Sequence, residues 1–200
     1  MSAPLFKDDI LFTQRLLASC GLYHGDLDGK YGQKTQDALD AFDAFYTQTA
    51  EQLGKFDSRT ENVISTLLPK AQMAARKCMN AAKGAPFVVK LLSGTRSYAE
   101  QDLLFMKKPK VTNAKGGQSN HNFGIAWDVG IFVNGIYYEG KTAKEDKAYV
   151  DLAIMVKAAV PGVEWGGDWR SFKDKPHYQL ASGKTVAECR TLLEQGRAYV

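Results

Sequence analysis

Ser119-Asn120-His121-Asn122-Phe123-Gly124-Ile125-Ala126-Trp127-Asp128-Val129-Gly130-Ile131-Phe132 joins a turn to an apolar strand that carries a single acid. Alternation along the strand puts Ala126, Asp128 and Gly130 on one face and Ile125, Trp127 and Val129 on the other. Asp128 is thus a carboxylate in an apolar strand, with a small residue on either side of it on its own face. A carboxylate in that setting needs a partner, and small neighbours leave room for an ion. His121 lies seven residues before Asp128, an odd separation that would turn it to the wrong face of an unbroken strand. Asn122 and Gly124 supply a turn that brings it back over Asp128.

A second stretch completes the pattern. Asp174-Lys175-Pro176-His177 holds another of the chain's 3 histidines. His177 begins a strand that ends at Leu180, and Gln179 shares its face. Asp174 would face the other way on a regular strand, but Lys175-Pro176 breaks the regularity, so both side chains can enter one cleft. Two imidazoles and a carboxylate form the ligand set of a catalytic zinc site, which keeps a fourth position for water. The second carboxylate, Asp174, can then act as base for that water. Each residue alone is explained by packing or solvation; the set in this order is not.

The surrounding elements follow from pattern and caps. Phe87–Ser93 reads as a buried strand. Ser97 caps a helix over Tyr98–Met106, with Glu100 closing a capping box, so Arg96 sits at a strand-to-helix corner. Lys107–Gln118 is rich in Lys, Pro, Asn and Gly and reads as a loop. Asn134-Gly135 predicts a hairpin turn. A long helix is expected over Ala143–Val160, a strand and loop over Val163–Trp169, and a closing helix over Val186–Tyr199.

Upstream, the periodicity changes to that of helices. Ile10, Leu11, Leu16, Leu17 and Leu22 bracket a first amphipathic helix, capped by Asp8 or Asp9 and stopped by Gly21. A Gly/Asp-rich loop follows, then a helix from Lys34 to Tyr46, with Tyr31 and Phe42 expected in the core. Gly29–Leu39 and Gly54–Ile64 align as a faint repeat, which suggests a duplicated helical hairpin in one small bundle. His24, in the loop, has no partner in sequence. Pro69 at a first helical position opens a helix to about Lys83. No Gly/Ser-rich linker separates the parts, so they are expected to pack together.

Composition bounds the rest. The 200 residues are 44% hydrophobic and 24% charged, ordinary for a globular protein, and carry a net charge of +4. That balance suits an anionic surface without choosing one, and no nucleic-acid motif accompanies it. Three cysteines without a Cys-x-x-Cys pair argue against a thiolate metal site and for free thiols. The N-terminus, Met1 to Asp9, lacks the basic-then-apolar order of a secretion signal, and no segment has the ~18 apolar residues of a membrane span. Synthesis in the cytoplasm is expected, with any action outside requiring separate release.

Two resemblances add to this reading. Gln14-Arg15-Leu16-Leu17, Gly21-Leu22-Tyr23, Asp28-Gly29-Lys30-Tyr31-Gly32, Thr35, Ala38-Leu39 and Phe42 resemble the small helical peptidoglycan-binding domain of wall hydrolases. Ser93-Gly94-x-Arg96-Ser97 with Glu100-Gln101, Ser119-x-His121-x-x-Gly124-x-Ala126-x-Asp128, Glu164-Trp165-Gly166-Gly167-Asp168-Trp169 and Asp174-x-Pro176-His177-Tyr178-Gln179 resemble the zinc D-alanyl-D-alanine carboxypeptidase and L-alanyl-D-glutamate peptidase family, which includes phage endolysins. The resemblance implies an α+β chain: a small all-α bundle over 1–65, then an α+β zinc peptidase domain over 66–200 with a central, mainly antiparallel sheet. It implies Zn2+ on His121, Asp128 and His177, Asp174 as catalytic base, and Arg96 steadying the substrate oxyanion. The partner implied is bacterial peptidoglycan, met by a monomer, with no nucleic acid. Asp174, where some members carry glutamate, suits the L-alanyl-D-glutamate endopeptidase branch. A D-alanyl-D-alanine carboxypeptidase and a non-catalytic wall-binding zinc module remain as alternatives.

Overall fold

The computed structural model describes residues 6–200. Most of the N-terminal stretch read for a secretion signal, residues 1–5, lies outside the described residues. Helices α1 (Lys7–Ser19) and α2 (Gln33–Leu53) are joined by the Gly/Asp loop, and their facing apolar stripes, Leu17 against Leu39 and Phe42, make a small core with Tyr23. The N-terminus of α1 has no side-chain cap; Asp8 and Asp9 sit in its first turn, where carboxylates favour the helix dipole. Gly21 ends the helix at φ 77°, with Leu22 N–H donating to the Leu17 carbonyl and Gly21 N–H to that of Ala18. Gln14 is fully buried and holds the loop: its amide donates to the Lys30 carbonyl at 3.0 Å and accepts from Gly29 N–H at 2.9 Å. The loop residues of the wall-binding resemblance are thus held by hydrogen bonds between their backbone and the Gln14 side chain.

Two expectations for this region are corrected. Tyr31 is 40% exposed rather than core, because it precedes the helix on its outer side and its hydroxyl meets Gln36 in solvent. The second repeat copy does not make a matching hairpin in the same bundle. Its helix α3 (Ser58–Ile64), capped by Asp57, packs instead on the main sheet, with Ile64 fully buried beside sheet residues. The reason is electrostatic as well as apolar. Glu61 on α3 makes a two-pronged pair with Arg76 on α4 (Pro69–Ala81), at 2.9 and 2.8 Å, and the Arg76 side chain has no exposure at all.

Five antiparallel strands form the sheet: β1 (Val88–Ser93), β2 (Ala126–Val133), β3 (Ile136–Tyr138), β4 (Val163–Trp165) and β5 (His177–Leu180). The order is β1-β2-β5-β4, with β3 added beside the far half of β2. The β2–β3 turn is Asn134-Gly135, both at positive φ, as the hairpin signal requires. Trp127, Val129 and Ile131 point into the main core against α4 and α6 (Ala143–Ala159). The alternate residues of β2, including Asp128, face the other side of the sheet.

Helix α5 (Tyr98–Met106) has the expected Ser97–Glu100 capping box. Helix α7 (Val186–Glu194) stops earlier than the pattern suggests. The chain beyond it turns at Gly196, φ 65°, and folds back so that Tyr199 is buried on Phe123 and donates to its carbonyl at 2.6 Å. A second apolar cluster joins Phe123, Ile125, Cys189 and Leu193 to Phe12 and Leu16 of α1. The helical N-terminal region and the sheet region therefore share two packed seams, as the lack of a linker predicts.

Candidate metal centre

Strand register brings the site together. Asp128 on β2 lies directly opposite His177 on β5 and Ser93 on β1. Directly opposed residues share a face, so His177 and Asp128 meet without any loop. His121 arrives from a short 3-10 turn, Asn120–Phe123, capped by Ser119. Gly124 follows in the left-handed region at φ 65°, and a Cβ there would come within 3.0 Å of Leu68. That reversal returns His121 over Asp128. A hydrogen bond from Arg96 N–H to the His121 carbonyl, 3.0 Å, ties the turn to the β1–α5 corner.

Three ligand-type atoms then form an equilateral triangle. His121 Nε2, His177 Nδ1 and Asp128 Oδ1 are mutually 3.2 Å apart. The far nitrogen of each ring is engaged elsewhere: His121 Nδ1 lies 2.8 Å from the Gly94 carbonyl, and His177 Nε2 lies 3.0 Å from Gln179 Oε1. Both oxygens accept, so those far nitrogens carry the protons, and the two near nitrogens present lone pairs to each other and to the carboxylate. Three acceptors at that spacing need a cation between them. Atoms about 2.0–2.1 Å from a tetrahedral zinc lie roughly 3.3 Å apart, so the triangle fits one face of such a site. Among the described residues this is the one cluster of three or more His, Cys, Asp or Glu side chains with ligand atoms so close. The three cysteines are free and none belongs to that cluster; Cys78 and Cys189 are buried.

The electrostatics set the two imidazoles apart and keep the carboxylate charged. Burial pushes the His121 imidazole below its ordinary value, against the pull of Asp128. His177 is also buried, but its contact with Asp128 outweighs burial and raises it. Burial would raise Asp128, yet the two histidines hold it well below the usual carboxylate range.

Asp174 and Arg96 flank the triangle. Asp174 N–H donates to the Gly166 carbonyl at 3.1 Å, and the Asp174 carbonyl accepts from His177 N–H at 3.2 Å, so the Asp174 turn is folded back on the start of β5. A Cβ on Gly166 would meet the Asp174 carbonyl at 2.4 Å, and one on Gly167 would meet the Trp165 ring at 2.2 Å. Those glycines are needed for close approach, and Trp165 Nε1 pins the Lys175 carbonyl at 2.7 Å. Burial, then the charge of Asp128, pushes the Asp174 carboxyl above its ordinary value. Arg96 Nη2 stands 3.9 Å from Asp128 Oδ2, and its buried Nε has no partner. An apolar cleft of about 420 Å³ between α1 and α5, lined by Phe12, Leu16, Leu68 and Leu103, contains none of these five residues.

Sequence reasoning gave no role to the supports of the triangle. Gln179 accepts from Asn120 Nδ2 at 2.7 Å as well as from His177, and donates to Glu164 at 2.7 Å. Trp169 lies against the His177 ring, centroids 5.0 Å apart. Gln179 could have been found from its place two residues after His177 on the same strand face; the Gly94 carbonyl leaves no trace in sequence.

Residues 112–180 match the family described as D-alanyl-D-alanine carboxypeptidase, and residues 7–64 match a peptidoglycan-binding-domain family. The chain is 37% identical over 123 residues to the peptidoglycan L-alanyl-D-glutamate endopeptidase CwlK of Bacillus subtilis, spanning 56% of this chain and 70% of that protein. The chain belongs to this peptidase family. Among solved structures, the L-Ala D-Glu endopeptidase ChiX of Serratia marcescens aligns with a TM-score of 0.48 and 28% identity, over 62% of this chain and 88% of that one. The family is one of metal-dependent peptidases, and all three triangle residues fall within the matched span 112–180.

Proposed function

We propose that the protein is a peptidoglycan hydrolase that cuts the stem peptide between L-alanine and D-glutamate, using zinc held by His121, Asp128 and His177. The observation that carries the chemistry is the triangle of three acceptors at 3.2 Å with both outer imidazole nitrogens engaged. The bond is supported by the activity named for the Bacillus subtilis relative. We assign residues 1–65 to a wall-binding unit and 66–200 to the peptidase unit, supported by the two family matches. We further propose an endolysin-type role, as a monomer acting on the wall after leaving the cytoplasm. The pairing of wall-binding and peptidase segments in one chain supports that reading.

Zinc in this site would supply Lewis acidity, lowering the pKa of water toward ~7 and polarising the scissile carbonyl. Asp174, already raised by burial, takes the proton of the attacking water as its oxygen adds to the L-alanine carbonyl carbon. Arg96, 3.9 Å from Asp128 and with Nε unpaired, donates to the carbonyl oxygen as it gains negative charge. A contact of that type is commonly worth about 3 kcal/mol. Asp174 then passes its proton to the D-glutamate nitrogen as the C–N bond breaks.

The test is mass spectrometry of purified peptidoglycan digested by the zinc-loaded protein beside a chelated control. New L-alanine C-termini paired with D-glutamate N-termini are expected. Release of free D-alanine alone would move the activity to a carboxypeptidase, and absence of product from fully zinc-loaded protein would leave a wall-binding module.

A further inference from the structure

The end of α5 and the loop after it hold the whole net charge of the chain. Lys107, Lys108, Lys110 and Lys115 lie in a stretch with no acid between Asp102 and Asp128, and the chain's net charge is +4. The remaining basic residues are matched one for one by acids. All four lysines are exposed, and among the described residues none of them makes an ion pair. Elsewhere lysines do find acids: Lys147 pairs with Asp151 at 2.6 Å and Lys157 with Asp168 at 2.8 Å.

The loop is held in place. Gln101 donates to the Ala114 carbonyl at 2.9 Å, and Gly116 N–H donates to Asp102 at 2.8 Å. The Lys110 and Lys115 ammonium groups sit 5.0 and 5.3 Å from the centre of the Phe105 ring. The basic loop is thereby folded back over the end of α5. Apolar side chains stand open where the helix passes into the loop: Met106 is 63% exposed and Val111 59%. The patch begins about 13 Å along α5 from the Arg96 corner, so it stands beside the metal centre rather than in it.

We infer that this basic and apolar patch is a docking surface for the face of an anionic lipid bilayer. A soluble polyanion would satisfy the lysines and leave the Met106 and Val111 side chains in water. An anionic bilayer takes both, with headgroup charge for the ammonium groups and the acyl boundary for Met106 and Val111. Attachment is peripheral, since no helix among the described residues is long and apolar enough to cross a membrane. The surface lies outside the hydrolytic site and does not depend on the bond that site cuts.

Sedimentation of the full chain with vesicles tests this. Vesicles of phosphatidylglycerol mixed with phosphatidylcholine should bind the protein, and pure phosphatidylcholine vesicles should bind it far less. Each lysine near such a surface is worth about a fivefold gain in partitioning. Joint Lys107→Gln, Lys108→Gln, Lys110→Gln and Lys115→Gln should therefore weaken binding on the order of several hundred-fold. Joint Met106→Ser and Val111→Ser should weaken it at least about tenfold. Raising salt should release the wild-type protein, a readout that needs no variant to fold. No binding to the anionic vesicles, or equal binding to neutral ones, would overturn the inference. Undiminished binding by the serine variant would also overturn it, moving the patch to a soluble polyanion.

Discussion

Glu61→Ala should be among the most damaging changes available outside the metal centre. The Glu61 carboxylate accepts from both Arg76 terminal nitrogens, at 2.9 and 2.8 Å, from the Tyr46 hydroxyl at 2.5 Å and from Phe56 N–H at 2.8 Å. Arg76 has no solvent contact, and its remaining hydrogen bond is to the Gly54 carbonyl. Alanine leaves a buried guanidinium without its counter-charge, which costs about 3–5 kcal/mol. For a chain of this size that lowers Tm by roughly 6–20 °C. Burial would raise the Glu61 carboxyl, but the Arg76 and Tyr46 hydrogen bonds hold it below its ordinary value. A depressed folded-state carboxyl stabilises in full above its unfolded pKa, about 4.3. Its contribution is lost as pH falls through the folded value. The gap between wild type and variant should therefore be full at neutral pH and narrow in acid. Calorimetric unfolding at matched metal load, across that pH range, measures it. The double variant Glu61→Leu with Arg76→Met should recover most of the loss, because removing both charges removes the desolvation problem. A single-variant loss under about 1 kcal/mol, or a gap unchanged in acid, would refute the reasoning.

Three further outcomes follow from the site. Asp174→Asn should keep stoichiometric zinc and lose about 10²–10⁴-fold in hydrolysis, read from stem-peptide turnover beside metal analysis. Gln179→Leu should weaken zinc binding about 10–100-fold by freeing the His177 ring, and Gln179→Glu should restore much of it; competition with a chromophoric chelator reads both. His177 is raised by its contact with Asp128, so a proton competes with the metal there. Zinc affinity should fall as pH drops through that raised value, and binding should release a proton, visible by calorimetry in two buffers of different ionisation enthalpy.

The parts of the fold and site that were legible in sequence rest on local chemistry. The Ser97–Glu100 capping box, the Asn134-Gly135 turn and the alternation around Asp128 each depend on neighbours a few residues away, and each appears where it was expected. The turn that returns His121 was legible because Gly124 must adopt positive φ. What was not legible depends on partners far along the chain. Helix α3 joins the sheet rather than a duplicated bundle because Glu61 meets Arg76, fifteen residues on. The support of His121 is a bare carbonyl, that of Gly94, which no side-chain pattern reveals. The end of α7 is set by Tyr199 finding Phe123, again a long-range contact.

The most direct test is a titration: release of new D-glutamate N-termini from purified peptidoglycan, measured as zinc is returned to the chelated protein. One metal held by His121, Asp128 and His177 predicts activity that rises in proportion to zinc and levels off at one equivalent. Full activity in the chelated protein, or none after one equivalent has bound, would contradict the account.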